Sequence, residues 1–100
     1  MGNNMKTLHL VLKSKWYDKI ASGEKTSEYR ECKPYWNKRF CGIETANMKI
    51  VCYPYGTVVF HRGYTATTME FRIIEIKTTT EKNDLGLDRC WEIKLGERIK

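Results

Sequence analysis

Between Gly23 and Arg30 the chain places Lys25, Thr26, Ser27, Glu28 and Arg30 within a few residues of one another. Two cations, two hydroxyls and a carboxylate in so short a run can meet an anionic or base-like guest. Their backbone setting follows from the residues on either side. Lys15 to Ala21 reads as a short helix, and Gly23 stands where a left-handed helix C-cap is expected. From Thr26 the pattern becomes extended, so alternation puts Thr26, Glu28 and Arg30 on one face and Ser27, Tyr29 and Glu31 on the other. Neither face is apolar. Such a strand either lies at a sheet edge or turns a polar face toward a cleft.

Two further groups could contribute. Tyr35, Trp36 and Phe40 interleave with Lys33, Lys38 and Arg39, the mixture expected where bases stack on rings while cations hold phosphates. The same aromatics could instead cap the open end of a barrel. His61, Arg62 and Tyr64 put an imidazole, a guanidinium and a phenol at the end of a strand, where functional groups are often displayed. His9 has no partner nearby in sequence and reads as a solvated imidazole, while Asp18 and Lys19 read as solvent-facing. Cys32, Cys41, Cys52 and Cys90 contain no CxxC pair, so neither a metal site nor any cofactor is expected. With no secretory signal ahead of them, they read as reduced thiols of a cytoplasmic protein.

The elements that must position these groups are mostly strands. Met5 to Lys13 alternates Leu8, Leu10 and Leu12 against Thr7, His9 and Val11, which predicts a strand with its leucines in the core, after a flexible lead over residues 1–5. Ser14 would cap the helix that follows, and Trp16, Tyr17 and Ile20 would dock it on the strands. Pro34 suits the first turn of a short helix or 3₁₀ segment. Gly42 to Gly56 is hard to read, with Met48 to Tyr55 suggesting a short strand broken by Pro54. Thr57 to Arg62 and Thr68 to Lys77 are strands, the second changing phase at Ile73-Ile74 as a bulge would make it. Asp88 to Leu95 is a last half-buried strand ended by Gly96. Five or six strands with one short early helix fit a small, highly curved barrel in a mainly β, α+β chain better than a sandwich.

One hundred residues suit a single domain over 1–100. Eighteen Lys and Arg against twelve Asp and Glu leave a formal charge of +6, which favours polyanionic partners such as nucleic acid. No run of the sequence approaches the ~18 apolar residues of a membrane span.

The Leu-rich strand, the Trp16 helix, Ser22-Gly23-Glu24-Lys25-Thr26 leading into Glu28-Tyr29-Arg30, then Pro34-Tyr35-Trp36, together resemble the ASCH domain family of the PUA-like superfamily. The likeness runs nearly end to end, with Val58 to Tyr64 resembling the strand that crosses the family's barrel, and is most specific in the Gly-x-Lys-Thr-x-Glu-x-Arg spacing. It implies a β-barrel with a cleft beside the first helix, and binding of RNA or modified nucleosides. On that basis Lys25 and Arg30 would supply cations, Glu28 would accept from a base edge, and Trp36 or Tyr64 would stack; His61 and Arg62 join the candidate binding residues from their place at the strand end. Some bacterial relatives hydrolyse acylated cytidine with a Lys, a Thr three residues on and a distant Glu. Here Lys25 matches the Lys but Glu28 stands in the Thr position, leaving Thr26 or Ser27 as the hydroxyl. A metal-independent ribonuclease using Lys25, Glu28 and His61, and a protein-interaction adaptor, are the other readings.

Overall fold

Seven strands and two helices make up the described part of the chain, residues 5–44 and 49–100 of a computed structural model. In order they are β1 (Lys6–Leu12), α1 (Ser14–Ala21), β2 (Ser27–Glu31), α2 (Pro34–Phe40), β3 (Cys41–Glu44), β4 (Lys49–Cys52), β5 (Tyr55–Arg62), β6 (Thr68–Thr79) and β7 (Cys90–Arg98). Residues 1–4 of the expected lead over 1–5, and the proposed strand residue Met48, lie outside the described residues.

Leu8, Leu10 and Leu12 are buried on one side of β1, as their alternation requires. β1 pairs in parallel with β5, and the sheet continues in the order β1-β5-β6-β7-β2. The remaining pairs are antiparallel. β6 pairs with β7 through register shifts on either side of Ile73, the bulge that the change of phase announces. The result is a mainly β chain with a curled sheet and two helices.

The architecture differs from the sequence expectation in several places. β1 and β2 stand at the two ends of the strand order of a curled half-barrel sheet, which is consistent with the small curved barrel expected, while the strands number seven rather than five or six. Of the two forms expected at Pro34, the short helix is the one present: α2 begins at Pro34, with Lys33 extended as the following ring demands. Ser14 lies inside α1 rather than capping it, and Lys13 takes the cap position without a side-chain hydrogen bond. β7 runs through Gly96 to Arg98 because β6 is long enough to keep pairing with it. β3 and β4 form a separate two-stranded sheet in which Cys41 and Cys52 stand directly opposite each other and are joined by a disulfide. Two of the four cysteines are therefore not free thiols; Cys32 and Cys90 are.

Both helices feed the core. Tyr17 and Ile20 of α1 and Phe40 of α2 join Leu8, Val58, Phe60, Met69, Phe71, Trp91 and Ile93 in one cluster. Phe40 packs edge-on to Trp91 at 5.0 Å between centroids, and Trp91 donates its indole N–H to Asn37 Oδ1 at 2.8 Å, which fastens α2 to β7. No helix among the described residues is long and apolar enough to cross a membrane.

Phe60 is fully buried and Tyr64 fully exposed, so truncating each should have opposite consequences. Phe60→Ala should cost about 3–5 kcal/mol in urea unfolding. Tyr64→Ala should stay within about 0.5 kcal/mol of the parent.

Candidate functional site

Helix α1 ends as its sequence dictates, and the ending aims the polar run. Ser22 N–H donates to Asp18 O, Gly23 adopts φ 85°, and the Lys25 N–H returns to Lys19 O at 3.0 Å. Lys25 is thereby fixed before β2 begins. β2 is the edge strand of the sheet and also borders two hollows, so both readings of its polar faces hold together. Glu28 and Arg30 line one hollow, while Thr26, Ser27 and Tyr29 line the other.

The larger hollow has a volume of about 550 Å³. It is walled by His9 to Lys13 of β1 and its end, Trp16 of α1, Glu28 and Arg30 of β2, Tyr35, Trp36 and Arg39 of α2, and Tyr64. Trp36 is the hub of this wall. Its ring has the Arg30 guanidinium 5.1 Å and the Arg39 guanidinium 5.7 Å from its centroid, and it stacks on Phe40 at 5.7 Å. Arg39 also donates to His9 O at 2.9 Å and to Tyr35 Oη at 3.2 Å, tying α2 to the edge of β1. Trp36 is thus partly covered by its own neighbours, whereas Tyr64 is 98% exposed. Arg30 Nε is buried and lacks a hydrogen-bond partner among the described residues.

The smaller hollow, about 310 Å³, is lined by Trp16, Lys19, Glu24, Lys25, Thr26, Ser27, Tyr29 and Asp84. Glu28 separates the two electrostatically. Only 4% exposed, it holds Lys25 Nζ at 3.3 Å through one oxygen and the Arg30 guanidinium at 2.5 Å through the other. Lys25 also pairs with Asp84 from the β6–β7 connection, and its ammonium lies 5.4 Å from the Trp16 ring and 4.7 Å from that of Tyr29. Ser27 donates to buried Glu92 at 2.7 Å.

Charge sorts the hollows. Lys13, Arg30 and Arg39 face Glu28 in the larger one, an excess of cations, whereas Lys19 and Lys25 are balanced by Glu24 and Asp84 in the smaller. Of the residues singled out from sequence, Glu28, Arg30, Trp36 and Tyr64 come together in the larger hollow. Lys25, Thr26 and Ser27 gather in the smaller. His61 and Arg62 line neither. Arg62 instead makes a two-pronged bond to Asp18, both distances 3.0 Å, which clamps the end of β5 to α1 and holds the Asp18 carboxyl below its usual range. His61 meets His9.

Sequence reasoning left Lys13, Trp16 and Asp84 out of the site and did not carry Arg39 from the aromatic-basic run to a role. Arg39 could have been found from the helix, since it follows Tyr35 and Trp36 at i+4 and i+3. Asp84 has no local signal; its partner is 59 residues earlier.

No family model, curated protein or solved structure matches the chain. The geometry of the two hollows is therefore the basis for any functional reading.

Removing the shared carboxylate should be felt at once, because it leaves two partly buried cations facing each other. Glu28→Gln should cost about 3 kcal/mol in urea unfolding. Burial, reinforced by Glu92 and Asp84, raises the Tyr29 phenol above its ordinary 10.0, and burial with the neighbouring Cys32 raises the Cys90 thiol above 9.0. A raised folded value means that stability is intact at lower pH and is lost as pH climbs through it. Stability measured from pH 8 upward should fall above about pH 9–10, and Tyr29→Phe should lessen the part of that fall near pH 10.

Proposed function

We propose that the chain binds RNA, or a modified nucleoside or nucleotide, in the larger hollow. The observation that carries this reading is the excess of cations, Lys13, Arg30 and Arg39, in a hollow that also presents Trp36, Tyr35 and the exposed Tyr64. Guanidinium groups can grip phosphate in two-point fashion, and aromatic faces accept bases regardless of sequence. Its volume of about 550 Å³ suits a nucleotide-sized guest.

The curled sheet with α1 beside the hollow agrees with the PUA-like barrel that the resemblance to ASCH domains implies, and the Gly23 to Arg30 spacing supports that family reading. Roles shift within it. Glu28 would present to a base edge whatever hydrogen-bonding capacity Lys25 and Arg30 leave it, and Lys25 would set the position of Glu28 rather than meet phosphate. Tyr64 is the better stacking platform because Trp36 already carries Phe40 and two guanidinium groups.

The hydrolase alternative belongs to the smaller hollow, with Lys25 and either Thr26 or the Ser27 hydroxyl that donates to Glu92. Lys25 is engaged by Glu28 and Asp84 rather than by a neighbouring hydroxyl, which favours binding over turnover.

Fluorescence anisotropy with a labelled single-stranded RNA octamer, titrated over a range of salt, tests the proposal. Replacing Lys13 and Arg39 by Gln should weaken binding and lower the salt slope by about 0.7 for each phosphate that is no longer neutralised. Tyr64→Ala should cost about 1–3 kcal/mol of affinity if it stacks a base. Unchanged affinity in both variants would reject the larger hollow. Consumption of N4-acetylcytidine or of the probe, abolished by Lys25→Ala, would move the function to the smaller one.

A further inference from the structure

The parallel pairing of β1 with β5 sets His9 opposite Val59 and Val11 opposite His61, so the two histidines are diagonal neighbours across the ladder. Each is flanked by buried residues of its own strand, Leu8 and Leu10 around His9 and Phe60 before His61, so both imidazoles project from the opposite face of the sheet. His9 Nδ1 lies 3.2 Å from His61 Nε2, with the ring centroids 5.5 Å apart and the planes tilted by 40°. Neither imidazole is ion-paired with a carboxylate among the described residues.

We propose that His9 and His61 together form a binding site for a divalent transition-metal ion at the rim of the larger hollow. The spacing fits. Two nitrogens each ~2.05 Å from one metal stand ~3.3 Å apart at a tetrahedral angle and ~2.9 Å apart at a right angle, and 3.2 Å falls between these values. Neutral imidazoles are good ligands for copper, nickel and zinc, and poor ones for magnesium or calcium. Without metal, the N–H of one ring donates a hydrogen bond to the bare nitrogen of the other. On binding, the donor ring changes tautomer through solvent, its proton moves to the outward nitrogen, and both inner lone pairs go to the ion.

Among the described residues no third His, Cys, Asp or Glu completes a cluster. The ion would keep two or more positions for water, so the site is of the open kind rather than a closed structural one. His9 also lines the larger hollow, which puts the site at its rim. The site does not depend on whether the hollow takes a nucleotide.

Calorimetric titration of the full chain with copper, nickel and zinc chlorides in a non-coordinating buffer tests the proposal, alongside His9→Ala, His61→Ala and Cys32→Ser. One equivalent should bind, copper most tightly, and each histidine variant should lose about tenfold or more because two-point attachment is gone. Cys32→Ser should bind like the parent, and the copper complex should show two nitrogen ligands by electron paramagnetic resonance. Circular dichroism checks that the histidine variants remain folded. Native affinity in either histidine variant, loss of binding in Cys32→Ser, or no binding by the parent would each overturn the site.

Discussion

The buried carboxylate of Glu28 is the constraint from which the site is built. A charge this far from water is tolerable only when its counter-charges are fixed, and here they come from both sides along the chain, Lys25 before it and Arg30 after it. Lys25 in turn is set by the end of α1 and held from across the molecule by Asp84. Arg30 extends the same line to Trp36 on α2. A single acid therefore registers helix, edge strand, distant loop and second helix against one another. The desolvation cost is met by that network, which explains why a short strand polar on both faces can sit at the edge of a sheet without an apolar side.

The tryptophans continue the pattern. Trp16 has the ammonium groups of Lys15, Lys19 and Lys25 about its ring, and Trp36 has two guanidinium groups about its own. Indole faces attract cations through their quadrupole, so each ring collects positive charge that would otherwise disperse over a basic surface. Lysines collect beside the hollow whose charges cancel. Arginines collect beside the hollow whose charges do not, and arginine is the residue suited to planar, two-point recognition.

Patterns with a short period were legible in the sequence because local sterics enforce them. The buried leucines of β1, the left-handed Gly23 and the irregular pairing in β6 all follow from neighbours in the chain. The polar run was legible as a site candidate for the same reason. What escaped depends on partners far away. Arg62 looked like a displayed cation until Asp18, 44 residues earlier, engaged it. The cysteine bond escaped as well, since it arises from two short strands that happen to align Cys41 with Cys52. Helix α2 was half legible: Pro34 announced a turn, but the anchoring of Asn37 and Phe40 to Trp91 is what sustains two full turns.

The parallel ladder between the first strand and the fifth has a consequence for how the molecule assembles. β5 and β6 can zip from the turn that connects them, but Leu10 must wait for Phe60, its partner in register, and nearly half the chain lies between them. Closing so long a loop carries an entropic penalty that falls before any contact rewards it, so topology of this kind slows folding. During synthesis, the leucine-rich segment leaves the ribosome well before β5 and finds its seat late, passing that interval as an unpaired apolar edge.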